Sequence, residues 1–406
     1  MMVKPPKHKW AFRARFRRHA FGWRSQQAIK RVKEAISEIK QVARSDGVLA
    51  SEGAVLFLEK LSPALEQVDS SSGAIGSAVN HAIVTLVGII ASAPAARSLR
   101  EAWLERLFAA HAADAIPYIE QLADHWGELC VLPDLASAWA DRLLDTTRRA
   151  LSHDSARHVY FHGTPACLSA LLAAKRYDEL LELLRDENFW PHQRWAVQAL
   201  VAQGKKAKAI RYAEGCRGQW ASDIDIDQLC EGILRSAGLN DEAYARYGLR
   251  ANRRGTYLAW YRAVARKYPN KSAEGILKDL VAISPGEEGK WFAAAKHAEL
   301  FDMAIELANR SPCAPQTLSR AARDFSQSNP AFAVEAGVAS LRWFIAGRGY
   351  EVTGAEVLDA YSFTLAAAGH TGRVDATVAR VRKLLANSRG SDEFVTRVLI
   401  DRLSTP

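Results

Sequence analysis

Ala174-Lys175-Arg176-Tyr177-Asp178-Glu179-Leu180-Leu181, Gln203-Gly204-Lys205-Lys206-Ala207-Lys208-Ala209-Ile210 and Ala237-Gly238-Leu239-Asn240-Asp241-Glu242-Ala243-Tyr244 share one layout. Each closes an apolar helix, turns, and opens a second helix on a small or apolar pair. Weaker copies run from Asn270 to Ile276, Glu299 to Ile305 and Ser328 to Val334. Aligned at the turn (175, 204, 238, 270, 299, 328), the intervals are 29, 34, 32, 29 and 29 residues. A period in this range marks helix-turn-helix repeats, in which each pair buries its apolar face only by stacking on the next.

Two side-chain positions follow the same register. A large or thiol residue precedes most turns by eight to ten positions: Cys167, Trp195, Cys230, Trp260 and Trp291. Five positions after the turn stands Ala209, Ala243, Gly275, Ala304 or Ala333, small enough for paired helices to approach closely. Gly204 and Gly238 suit the left-handed residue that ends a helix. On these residues the stretch 164–345 resembles the tetratricopeptide-like superfamily in helical layout, with degenerate repeats that never complete its signature. The resemblance implies an α-solenoid whose curved surface binds proteins or peptides.

Outward from the repeat, apolar periodicity predicts helices over 48–61, 75–91, 97–111 and 134–150 upstream, with Pro94, Pro117 and Pro133 as breakers. Downstream, 354–369, 373–386 and 391–403 read as closing helices. The expected fold is all-α, an α-solenoid of tetratricopeptide-like helix pairs preceded by a helical region and a basic arm. The divisions expected are 1–24 for the arm, 25–152 for the N-terminal helical region and 153–406 for the repeat region with its closing helices.

The charge lies at one end. Residues 1–44 hold thirteen Lys or Arg and two acids, a net of +11, so the other 41 bases and 43 acids leave −2. Lys7, Lys9, Trp10, Phe12, Arg13, Arg15, Phe16, Arg17, Arg18, Phe21, Trp23 and Arg24 interleave cations with rings. Two readings stand open for this arm: aromatic anchors docked on the first helices with the charges in water, or contact with nucleic acid or another acidic partner. Behind it Ile29, Val32, Ile36, Ile39 and Ala43 line one face of a helix that Ser25 is placed to cap. Lys30, Lys33, Lys40 and Arg44 form a stripe beside that face, either solvated or a binding surface.

Chemical motifs are scarce. His158 and His162 are four apart near His153, His125, Cys130 and Cys167, the basis for a metal-dependent enzyme as a third reading. Gly163 and Pro165 interrupt any helix there, and no acid stands between the two histidines as a zinc hydrolase requires. Ser222-Asp223-Ile224-Asp225-Ile226-Asp227 starts like a calcium loop but has Gln228 and Leu234 where Gly and Glu belong. Asp69-Ser70-Ser71-Ser72-Gly73 lacks the Lys-Ser/Thr of a phosphate loop. No cofactor motif is recognised. The five cysteines are dispersed without a C-x-x-C pair, as expected of buried, reduced thiols in a cytoplasmic protein. Asn80, His81, Thr85 and Gly88 dilute the charge-free stretch Ser70–Ala96, which reads as a core helix, so no membrane is expected.

The leading functional expectation is a protein–protein interaction scaffold. Its partner surface would be drawn from Arg194, Arg211, Arg250, Arg253, Arg254 and Arg262, an extended arginine set suited to acidic segments. The alternative is nucleic-acid association through the arm and helix 25–44, with salt-sensitive binding.

Overall fold

The computed structural model describes residues 8–152, 160–218, 220–386 and 393–404. Among them the regular elements are helices, and no strand occurs. The chain divides into two compact units, Met1–Asp223 and Ile224–Pro406.

The first unit begins with the short α1 (Phe12–Arg15) and continues through α2 (Ser25–Ala43), α3 (Gly47–Leu65), α4 (Ala74–Ser92) and α5 (Arg97–Ala112). A 3-10 turn over Glu120–His125 leads into α6 (Trp126–Cys130), followed by α7 (Pro133–Leu151), α8 (Thr164–Ala173), α9 (Tyr177–Leu183), α10 (Trp190–Ala202) and α11 (Lys206–Gly215). Asp46 caps α3 by accepting the Leu49 N–H at 2.9 Å. Helix α4, 19 residues long, has the length and apolar composition of a membrane-crossing segment. Its Ile75, Val79, Ile83, Leu86 and Ile90 are buried, and it packs on α2 and α3. Arg100, 3% exposed, donates to the carbonyls of Ile90 and Ala93 at the end of α4, answering groups a helix terminus leaves open.

The helices on either side of residues 153–159 pack on one another. Helix α8 lies against α6, α7 and the 3-10 turn, and one apolar cluster runs from Trp10 through Trp126 and Cys167 to Ala199. Helices α8, α9 and α10 thus share the core of the helices before them.

The second unit contains α12 (Asp223–Ser236), α13 (Asn240–Ala243), a π-turn (Tyr244–Gly248), α14 (Leu249–Ala251), α15 (Tyr257–Lys267), α16 (Ala273–Ala282), a 3-10 turn (Glu288–Trp291) and α17 (Phe292–His297). Then follow α18 (Phe301–Arg310), α19 (Pro315–Asp324), α20 (Pro330–Ile345), α21 (Gly354–His370), α22 (Val374–Ala386) and α23 (Glu393–Ser404). Most contacts link helices that are next or next but one in sequence, as α15 with α16 and α17, or α20 with α21 and α22, and α20 also reaches α23.

One helix ending recurs. Lys175, Gly204, Gly238 and Glu299, four of the aligned turn positions, have φ of 60°, 77°, 78° and 59°. After each, an N–H reaches back to the carbonyl five residues earlier: Arg176 to Leu171, Lys205 to Leu200, Leu239 to Leu234 and Leu300 to Ala295. This is the Schellman ending, which satisfies carbonyls a helix terminus leaves open. Gly347 and Gly372 repeat it beyond the aligned set. Asn270 and Ser328 are not left-handed; there the next helix is opened instead by side-chain caps, Ser272 and Asn329. The small residues Ala209, Ala243, Ala304 and Ala333 are fully buried, and Cys167, Trp195, Cys230, Trp260 and Trp291 are all core.

Candidate nucleic-acid interface

The arm is docked. Phe12, Phe16 and Phe21 are buried, and Phe12 and Phe16 meet Phe57 of α3 edge-on at 5.3 and 4.9 Å between ring centres. Trp10 enters over Gly53, where the missing side chain makes room for its ring. Trp10 was a candidate stacking ring; at 6% exposed, its face is taken by the core and is unavailable to a base. Trp23 is the opposite case, 72% exposed. The chain is pinned by backbone bonds as well: His19 N–H donates to the Pro63 carbonyl at 3.0 Å and Asp69 N–H to that of Trp23 at 2.9 Å.

Both acids of this region are spent on holding the arm. The Glu38 carboxylate accepts the N–H groups of Ala11 (2.7 Å) and Phe12 (3.2 Å), capping α1 from another helix. Glu34 accepts from Arg31 (2.7 Å) and Arg15 (2.9 Å). The hydrogen-bonded Arg31 guanidinium holds the Glu34 carboxyl below its ordinary pKa. Farther along, Glu66 pairs with Arg18 at 3.4 Å.

The consequence is a surface of uncompensated positive charge. Lys9, Arg13, Arg17, Arg24, Lys30, Lys33, Lys40 and Arg44 are exposed, and among the described residues none of them pairs directly with a carboxylate, Lys30 acting on Glu34 only at longer range. Lys7 lies outside the described residues. Ser25 does not cap α2: Arg24 holds that position, no side chain caps it, and the first turn has no acid.

The arginine set is divided between the two units. Arg194 and Arg211 belong to the first unit and Arg250, Arg253, Arg254 and Arg262 to the second. Arg194 is committed to Asp124 at 2.6 Å, and Arg250 to Asp227, itself 1% exposed, at 3.0 Å. Arg253 lies over the Trp260 ring, and Arg262 donates to the His297 ring at 3.2 Å. Arg211 and Arg254 are exposed. Asp124 and Asp227, which pair with Arg194 and Arg250, are not sequence neighbours of these arginines, so the pairing was not legible.

His153 and His158 lie outside the described residues; His162 is exposed, and no group of three or more metal-ligating side chains occurs among the described residues. Near it a cleft of about 610 Å³ in the first unit is lined by Glu120, Asp124, Tyr160, Glu187, His192 and Arg194, among others. Its charges answer one another: Tyr160 donates to Glu120 at 2.7 Å and Glu187 faces His192 at 2.9 Å. Burial opposes the Glu187 carboxylate, but His192 and the N–H groups of Phe189 and Asn188 outweigh it and keep its pKa below the ordinary value. Asp69 stays within its own loop, accepting the Ser71 N–H at 2.9 Å, and Asp223 opens α12.

All five cysteines are free and buried, and burial pushes the thiols of Cys130, Cys167 and Cys313 up to about 12, 11 and 12. The sequence matches no family model and no curated protein.

Proposed function

We propose that this is a nucleic-acid-associated protein that binds a phosphate backbone through the basic face of its docked arm and α2. The observation behind it is the set of exposed cations without carboxylate partners, beside two acids both consumed in fixing the arm. Cations unpaired in the free protein lose no internal ion pair on meeting phosphate, and they release the counterions condensed on the nucleic acid. Docking adds to this, because the ordering cost of the arm is met during folding rather than at binding. A cytoplasmic setting belongs to the same reading and accords with the free, buried thiols.

Removing residues 1–44 is not a clean test, since Trp10, Phe12, Phe16 and the inner face of α2 belong to the core. Neutralising Lys30, Lys33, Lys40 and Arg44 to Gln leaves that core intact. Binding of a labelled oligonucleotide, followed over rising salt, is expected to weaken steeply for the parent chain. Each contacting cation removed should flatten the logarithmic salt slope by about 0.7–0.9. A slope unchanged in the fourfold variant would remove the proposal.

The recurring Schellman ending and the buried alanines favour a second reading, a tetratricopeptide-like α-solenoid over 153–406 acting as a protein–protein interaction scaffold. It requires a protein partner that cross-links within 164–345 after nuclease treatment. Loss of all co-purifying protein on that treatment would leave the nucleic-acid reading alone.

A further inference from the structure

We infer that Trp23 is a stacking platform for an unpaired nucleobase, so that the basic face takes single-stranded nucleic acid in preference to duplex; this rests on the nucleic-acid reading above. The arm sorts its rings sharply. Trp10, Phe12, Phe16 and Phe21 are 6%, 2%, 1% and 6% exposed, whereas Trp23, two residues beyond the last of them, is 72% exposed. Trp23 directly precedes Arg24, which holds the N-cap position of α2 without capping it, and an apolar side chain in the place of Trp23 often folds back onto the first turns of the helix. Here it stays in water.

Its backbone is nonetheless fixed on both sides. Phe21 is anchored in the core, the Trp23 carbonyl accepts the Asp69 N–H, and α2 begins at Ser25. The ring is therefore held out from an ordered chain, and Arg24, an exposed cation without a carboxylate partner among the described residues, directly follows it in sequence. A cation that meets phosphate beside an aromatic face that meets a base is the pairing by which proteins hold single strands without reading their sequence. In a duplex each base is already stacked on its neighbours and offers no free face to such a ring. One exposed ring also falls short of the broad apolar face with which an interfacial helix enters a membrane.

The test uses the full chain and its Trp23→Ala and Trp23→Phe variants against oligo(dT), oligo(U), a duplex of equal length and heparin, a polyanion without bases. Trp23→Ala is expected to weaken both single strands about tenfold, one stacked base's worth, and to leave duplex and heparin binding unchanged. Trp23→Phe should recover most of the loss. Equal loss on oligo(dT) and oligo(U) makes the unpaired base the ligand; loss on one alone assigns the site to DNA or to RNA. Parent-like binding of single strands by Trp23→Ala overturns this inference and leaves the basic face standing. A Trp23-dependent attachment to vesicles of anionic lipid, with no effect on single strands, overturns it in favour of a membrane surface. Failure of every polyanion to bind the parent chain overturns the inference and the functional reading together.

Discussion

The ring of Trp10 occupies the space that a side chain at residue 53 would need: a Cβ built on Gly53 would lie 2.2 Å from Trp10 Cζ2. The docking of the arm therefore depends on the absence of one methyl group on α3. Gly53→Ala is expected to destabilise the first unit by about 1–3 kcal/mol, the usual range for overpacking a tight core. It should also expose the arginines of the arm to limited trypsin digestion. In a Trp10→Ala background the same substitution should cost little, because the clash is gone. Equal costs in the two backgrounds would mean that the contact does not carry the docking.

The arm shows what a sequence can and cannot carry. Its alternation of rings and cations was plain, and both outcomes for the rings were physically sound. The choice depended on Gly53 and Phe57, more than thirty residues away, and on Glu38, whose role as a cap for α1 has no local signal. Helices α3, α4, α5 and α7 were legible within a few residues because their apolar periodicity is local. The division of the chain at 223 was not, because the packing of α8 against α6 and α7 is a property of the fold and leaves no mark in composition.

His111 is 3% exposed, its Nε2 has no hydrogen-bond partner, and burial pulls its pKa below the ordinary imidazole value of 6.5. Charges around it include Asp114, Glu120 and His162; Asp114 and Glu120 act the other way, but burial is the largest effect. A histidine held neutral in the fold must take up its proton on unfolding. Stability should thus be complete above pH 6.5 and fall as pH drops from there toward the folded-state value. Melting temperatures of the parent chain and a His111→Leu variant, measured from pH 8 to 5, should diverge in slope within that window. Parallel curves would show that another group carries the dependence.

In the second unit Glu231 is fully buried and is surrounded by donors: Asn252 Nδ2 at 2.8 Å, Tyr268 Oη and Lys267 Nζ. Burial, and next the acceptance of its proton by Glu231, raises the pKa of Tyr268, whose ring also closes on Gly248 at the end of the π-turn. Removing the carboxylate leaves these donors without their acceptor. Glu231→Ala should cost about 3 kcal/mol, and Tyr268→Phe nearer 1 kcal/mol, since two donors to Glu231 remain. Chemical denaturation measures both. The ordering of the two costs is the test, and a Tyr268→Phe cost equal to that of Glu231→Ala would make the tyrosine the keystone instead.

The sharpest link between the sequence period and the structure is the left-handed turn. Gly204 and Gly238 adopt it without strain, but Lys175 and Glu299 adopt it with a Cβ present, at φ near 60°. An L-residue there forgoes roughly 1 kcal/mol relative to glycine. The two kinds of position should respond in opposite directions. Lys175→Gly and Glu299→Gly are each expected to stabilise the fold by up to about 1 kcal/mol, the relief being offset in part by the greater freedom of glycine in the unfolded chain. Gly204→Ala and Gly238→Ala should destabilise by a similar amount through the backbone alone, because a Cβ at either site would meet nothing within 4 Å. Asn270, in phase with these turns but not left-handed, is the control: Asn270→Gly should bring no gain. If all five substitutions shifted stability in the same direction, the common turn would not be a common energetic unit, and the repeat would be one of spacing only.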